Sequence, residues 1–159
     1  MVNLTIIALG NLKEGYLREA ASEYKKRLSQ YAKVEEIELK EERISNEDDK
    51  GEIAAALSRE ADKILASIPK DSVTVALCVE GKEYSSEGLA ELFDRSADLK
   101  GRITLIIGSS HGLSDRVKTV CHHRISFSKL TFPHQLMRVM LYEQTYRAFT
   151  IIHGKRYHK

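Results

Sequence analysis

The chain has 159 residues, 42% hydrophobic and 30% charged, with two cysteines and a net charge of +2. That length suits one domain with a real core, spanning residues 1–159, and the composition excludes a disordered or fibrous protein. No apolar run reaches the roughly eighteen residues that span a bilayer, Met1–Leu9 has no basic leader region, and Cys78 and Cys121 sit in no metal spacing, so a cytoplasmic protein using neither membrane nor metal is expected.

Val2–Leu9 is a continuous apolar run closed by Gly10-Asn11, the pattern of a strand buried on both faces. Glu14–Tyr31 reads as a helix, with Tyr16, Leu17, Ala20, Ala21, Tyr24 and Leu28 at helical spacing. Val34–Leu39 alternates and is more polar, so it belongs near a sheet edge. Lys40–Lys50 is acidic and irregular, a loop or lid. Asp48 and Asp49 start a helix through Ser67, and Pro69 ends it. Val73–Val79 is another buried strand, with a turn predicted at Gly81-Lys82. Ser85 or Ser86 caps a helix over Glu87–Arg95. Ile103–Ile107 is a third apolar strand. A short helix from Ser114-Asp115, a short strand around Arg124–Phe127 and a long final helix complete the chain. This alternation predicts an α/β fold: a mostly parallel sheet flanked by helices.

The final helix is apolar nearly all round. Val139, Tyr142, Tyr146, Phe149 and Ile152 form one stripe, and Met137, Leu141, Ala148 and Ile151 another. The first stripe faces the sheet, and the second predicts either a homodimer or a helix sandwiched within one protomer; the homodimer is the expectation at this length. Charge is segregated as well. Residues 116–159 hold nine Lys/Arg against one acid, Glu143, and five of the six histidines. A polyanionic partner explains this, and so does basic residues complementing the acidic half.

Two segments carry candidate chemistry. Gly108-Ser-Ser-His-Gly112 directly follows a strand, where open α/β sheets bind ligands, although a tight glycine turn explains it almost as well. In Ser126-Phe-Ser-Lys-Leu-Thr-Phe-Pro-His134, Thr131 can cap a helix with Pro133 in its first turn. The hydroxyls between aromatics equally suit a loop around a flat heterocycle. The tail His153-Gly-Lys-Arg-Tyr-His-Lys159 gathers cationic and proton-moving groups that no core requires.

The run Ser-Phe-Ser-Lys-Leu-Thr-Phe-Pro-His-Gln, with Arg138-Val, Glu143-Gln, Tyr146-Arg-Ala and the terminal Tyr157-His-Lys, resembles the RlmH family. These are the ribosomal large-subunit pseudouridine N3-methyltransferases of the SPOUT class. Ala-Leu-Gly-Asn-Leu-Lys-Glu near the start, Gly81-Lys…Ser85-Ser-Glu-Gly-Leu-Ala and Ile-Gly…Gly112-Leu match too, so the resemblance spans essentially the whole chain. It implies a C-terminal trefoil knot, a homodimer across that knot, and S-adenosyl-L-methionine bent among the knot loops. It also implies methylation of N3 of a pseudouridine in helix 69 of 23S rRNA. By position, Leu77, Gly108, Phe127, Ser128, Lys129, Leu130, Thr131 and Phe132 become the cofactor-binding residues. The family often has Gly-Gly-Ser-Asn-Gly where this chain has Gly108-Ser109-Ser110-His111-Gly112; a left-handed second position would strain Ser109.

The chemistry requires a proton acceptor, a group on the pyrimidine oxygens and a dry site. His158 is the candidate base or relay, and Tyr157 its neighbour for stacking or hydrogen bonding. Arg147 is the candidate for the developing oxyanion, though Glu143 four residues earlier makes a helical ion pair an equal reading. Arg138 points elsewhere, as a phosphate contact, and His122-His123 beside Cys121 read as surface residues. The main rival is a non-enzymatic, ribosome-associated RNA-binding domain. A dinucleotide oxidoreductase is disfavoured because the Gly-x-Gly-x-x-Gly pattern is missing.

Overall fold

The structure, a computed structural model, describes residues 1–159. Strands and helices alternate throughout: β1 (Val2–Leu9), α1 (Gly15–Leu28), β2 (Ala32–Leu39), α2 (Lys50–Ser67), β3 (Val73–Glu83), α3 (Ser86–Lys100), β4 (Arg102–Ile107), α4 (Asp115–Val120), β5 (His123–Ser126) and α5 (His134–Ile152). The five strands form one parallel sheet in the order β2-β1-β4-β3-β5. The α/β fold with a parallel sheet is therefore as expected.

The apolar run of β1 shows why it is central. Leu4, Ile6 and Ala8 enter a core shared with α1, α3 and α5, while Ile7 and Leu9 enter a second core under α2 and α4. A strand buried on both faces needs apolar residues at every position. β2, with Glu35, Glu36 and Glu38, lies at the edge.

Several boundaries differ from expectation. α1 stops at Leu28, and Tyr16, placed on the buried stripe, is 69% exposed. β3 does not turn at Gly81; it bulges after Leu77 and re-pairs with β5 through Lys82 and Glu83. Gly81 permits this approach, because a Cβ there would lie 2.5 Å from the Ile125 carbonyl carbon. α3 runs five residues past Arg95, to a left-handed Gly101 that ends it. Thr131 caps nothing: α5 starts after Pro133 without a side-chain cap.

The largest correction concerns α5. Much of both stripes is covered within one protomer: α5 packs against α1 and α3, and Leu141 and Ala148 are each 1% exposed, while Met137 and Ile151 are half-buried. Three helices share one sheet face, so Leu141 and Ala148 of the second stripe require no partner. The middle of the helix is thus sandwiched within one protomer, and the dimer argument drawn from this helix keeps only the half-buried Met137 and Ile151.

Candidate functional site

The C-terminal ends of β3, β4 and β5 converge on a cleft of about 700 Å³. One wall is the turn after β4. A Cβ on Gly108 would lie 2.3 Å from the Gly112 carbonyl oxygen, so the turn closes only around glycine. Gly112 takes the left-handed conformation, φ +85°, and its N–H donates to the Ser109 carbonyl at 2.9 Å. Ser109 does not have positive φ. The strain raised for it does not arise, because the left-handed residue is the glycine that closes the turn. Ser109 Oγ instead donates to Glu60 Oε1 at 3.0 Å, below the turn.

The opposite wall is the segment between β5 and α5. Ser126 Oγ donates to the Ser128 carbonyl at 2.9 Å, and the Leu130 N–H donates to Ser128 Oγ at 3.0 Å. These hydroxyls fold the loop on itself, which leaves its aromatic and aliphatic side chains to form the wall. Leu77, Gly108, Phe127, Ser128, Leu130, Thr131 and Phe132 all line the cleft. Lys129, grouped with them by position, is exposed and does not line it. Cys78, Ile107, His134 and Met137 line it as well; Ile107 and His134 stand inside the runs quoted above without a cofactor role, and no motif had marked Cys78 or Met137. Cys78 directly follows Leu77 and Met137 lies one helical turn after Pro133, so adjacency to the quoted residues was the available signal. Burial, and then Glu80, push the Cys78 thiol up, which disfavours a reactive thiolate.

Arg147, Tyr157 and His158 come together in a second cluster. Tyr157 Oη donates to Glu143 Oε1 at 3.0 Å, and Arg147 Nη2 pairs with the same oxygen at 2.5 Å. The Arg147 guanidinium also lies 4.8 Å from the Tyr157 ring centroid. Desolvation first, then Glu143, push the Tyr157 phenol well above its ordinary value. The His158 ring is held from both sides, with Nδ1 3.2 Å from Arg147 Nη1 and Nε2 2.9 Å from Glu87 Oε1. A guanidinium only donates, so Nδ1 accepts and Nε2 carries the proton toward Glu87. Sequence reasoning had passed over Glu87, in the first turn of α3. The helical Arg147–Glu143 pair is formed, and it also anchors the tail.

The cluster and the cleft sit at opposite ends of α5. From Met137 on the cleft to Arg147 is ten residues, about 15 Å at the helical rise. Arg138 belongs to neither and is no phosphate contact. It is 1% exposed, pairs with Glu38 at 2.6 Å and donates to the carbonyls of Leu9 and Gly10 at 3.1 and 2.8 Å. His122 is exposed, yet its Nδ1 accepts the Thr74 N–H at 3.0 Å and so clasps β3. No group of three or more His, Cys, Asp or Glu side chains is placed to hold a metal ion, and no helix is long and apolar enough to cross a membrane.

Residues 2–158 match the family described as "Predicted SPOUT methyltransferase". A protein of Caldicellulosiruptor saccharolyticus named "Ribosomal RNA large subunit methyltransferase H" is 48% identical over 98% of this chain and 99% of its own. The Bacillus pumilus protein of the same name is 43% identical over 99% of this chain and all of its own. The chain belongs to the RlmH family of SPOUT methyltransferases. A solved structure of a "probable methylase family protein" from Haemophilus influenzae superposes with a TM-score of 0.54 at 15% identity, covering 99% of this chain and 71% of that one. At that identity it supports the fold alone. In SPOUT terms, the turn after β4 and the segment before α5 are the two walls to which the resemblance assigned the cofactor.

Proposed function

We propose that this protein transfers a methyl group from S-adenosyl-L-methionine to N3 of a pseudouridine in helix 69 of the 23S rRNA, acting in the cytoplasm as a homodimer with a C-terminal trefoil knot. One observation carries the reading: a glycine-closed cleft at the strand ends, in a chain 43–48% identical along its length to proteins named as ribosomal RNA large-subunit methyltransferases. The cleft suits the donor. Its volume of about 700 Å³ takes a molecule of nucleoside size, and Leu77, Ile107 and Phe127 offer apolar surface to a flat base. The turn held at Gly108 brings backbone groups close enough to read polar edges. When bound, the donor supplies an electrophilic methyl group on a sulfonium.

The residues of this chain have three tasks. The apolar walls exclude water, which favours an anionic nitrogen meeting a cation over the separated ions. Arg147 holds the carbonyl oxygens that share charge once the N3 proton leaves. His158 takes that proton on Nδ1, whose lone pair is freed when Arg147 turns from it to the carbonyl oxygens. Tyr157 stays protonated beside Glu143 and orients the base.

Along α5 these groups stand about 15 Å from Met137 on the cleft, a span that disfavours one substrate bridging both within one protomer. The tail therefore serves the cleft of the second protomer. The exposed apolar residues Val79, Leu130 and Leu136 support an interface near the cleft mouth. Calorimetry with S-adenosylmethionine and mass spectrometry of 23S rRNA from cells lacking the gene test the reading. Saturable binding and one missing methylated pseudouridine are expected; failure of the protein to bind the donor would overturn it.

A further inference from the structure

Glu60 and Arg138 are the two charged side chains buried in the chain. Arg138 has an ion-pair partner, but Glu60, at 3% exposure, has none. A buried carboxylate without a cation is costly and persists where hydrogen bonds hold it. Each Glu60 oxygen takes one donor from a different segment. Oε1 accepts Ser109 Oγ at 3.0 Å, from the turn that walls the cleft, and Oε2 accepts the N–H of Glu42 at 2.9 Å, from the acidic segment 40–49.

That segment is fastened along α2. The Glu42 carboxylate pairs with Arg59 at 3.2 Å and Lys63 at 2.6 Å, and Glu52 accepts the Ser45 N–H and hydroxyl. From this anchorage it reaches the cleft turn twice more, with Glu47 2.7 Å from the His111 ring and Glu41 accepting from Ser110 Oγ at 3.4 Å. Those contacts are at the surface, whereas Glu60 joins the two segments from beneath.

We propose that Glu60 is a positioning residue for the donor cleft: it locks the 108–112 turn to the 40–49 segment so that the turn is shaped before the donor arrives. The inference rests on the methyl-donor reading of the cleft. Glu60 touches no substrate; it acts through Ser109. Preformed walls raise affinity by lowering the ordering cost of binding.

Glu60→Leu keeps the volume and removes both acceptors, whereas Glu60→Gln keeps the Glu42 tie and offers Ser109 Oγ a donor instead. In the full-length protein, Glu60→Leu is expected to weaken donor binding by calorimetry about tenfold. The donor KM rises in parallel, while kcat at saturating donor stays close to wild type. Amide exchange should accelerate in residues 108–112 and 40–49 together and not in β1 or α5. Glu60→Gln should recover most of the affinity. Because Glu60→Leu threatens folding, Ser109→Ala removes only the turn-side bond and should reproduce the affinity loss and faster exchange at 108–112. Unchanged donor affinity in both folded variants, or exchange faster uniformly across the chain, would overturn the proposal. Wild-type protein that takes up no donor would overturn the methyltransferase reading instead, and coupled exchange of the two segments would still support the tie.

Discussion

Gly108 and Gly112 are in backbone contact: a methyl group on the first would stand 2.3 Å from the carbonyl oxygen of the second. Neither atom belongs to a flexible side chain, so the turn itself must move to admit it. Gly108→Ala is expected to destabilise by about 1–3 kcal/mol and to weaken donor binding at least as much. At Gly112 a Cβ meets nothing within 4 Å, and only the left-handed φ of +85° opposes it. Gly112→Ala should cost about 1–2 kcal/mol. Thermal unfolding and donor calorimetry on the two variants separate a closed turn from a merely tolerant one.

Arg138→Leu should destabilise by about 2–3 kcal/mol, since the Leu9 and Gly10 carbonyls lose charged donors beneath α5. The figure stays modest because its carboxylate partner, Glu38, is 42% exposed and remains solvated. Urea denaturation measures it. A wild-type midpoint would mean that α5 docks without this staple, and an unchanged salt dependence of RNA binding is expected because Arg138 meets no phosphate.

What the sequence made legible was periodic. β1, β4 and the first half of β3 announce themselves because a strand buried on both faces is apolar at every position. The cleft walls were assigned by the family resemblance, because a tight turn explains the glycines, and a helix cap the hydroxyls, almost as well as a ligand does. The failures were tertiary. Nothing local says that α1, α3 and α5 share one face and cover much of both α5 stripes. A glutamate amid the polar residues of α2 looks solvated, yet Glu60 points into the protein toward two segments 18 and 49 positions away. Arg138 was misread for the same reason: its partners lie at least 100 residues earlier.

Acid should loosen the 40–49 segment before the sheet. Lys63 and then Arg59 hold the Glu42 carboxyl below its ordinary value of 4.5, and hydrogen bonds led by the Ser45 hydroxyl do the same for Glu52. A depressed folded pKa means that the unfolded segment binds more protons. The stabilising effect is therefore complete above 4.5 and fades as pH falls through the lower folded values. Amide exchange, corrected for intrinsic rates, should rise in residues 40–49 on going below about pH 4.5. Equal protection at pH 7 and at the acid limit of the folded state would contradict the assignment.

Deleting Tyr157–Lys159 should abolish detectable methyl transfer and leave donor affinity within about twofold, because no cleft-lining residue is removed. Stability should fall by no more than about 1 kcal/mol, since the lost contacts are half-exposed. Donor calorimetry, single-turnover transfer and melting curves supply the three readings. Parallel loss of binding and transfer would place the tail in donor recognition.

The separation of about 15 Å along α5 between Met137 and Arg147 also makes a decisive prediction. Two proteins are prepared, one with Gly108→Ala in the cleft and an intact tail, the other with an intact cleft and Tyr157–Lys159 deleted, and transfer is read at a donor concentration too low to fill the altered cleft. Co-refolded at equal concentration, half the dimers are mixed, and each mixed dimer holds one cleft served by one tail if the tail crosses between protomers. About a quarter of wild-type transfer should return. If the tail instead folded back onto its own cleft, every chain in the mixture would still carry a defect, and no activity would return at any ratio. Partial recovery that scales with the mixed-dimer fraction, followed by native mass spectrometry, is the signature of a site built from two chains.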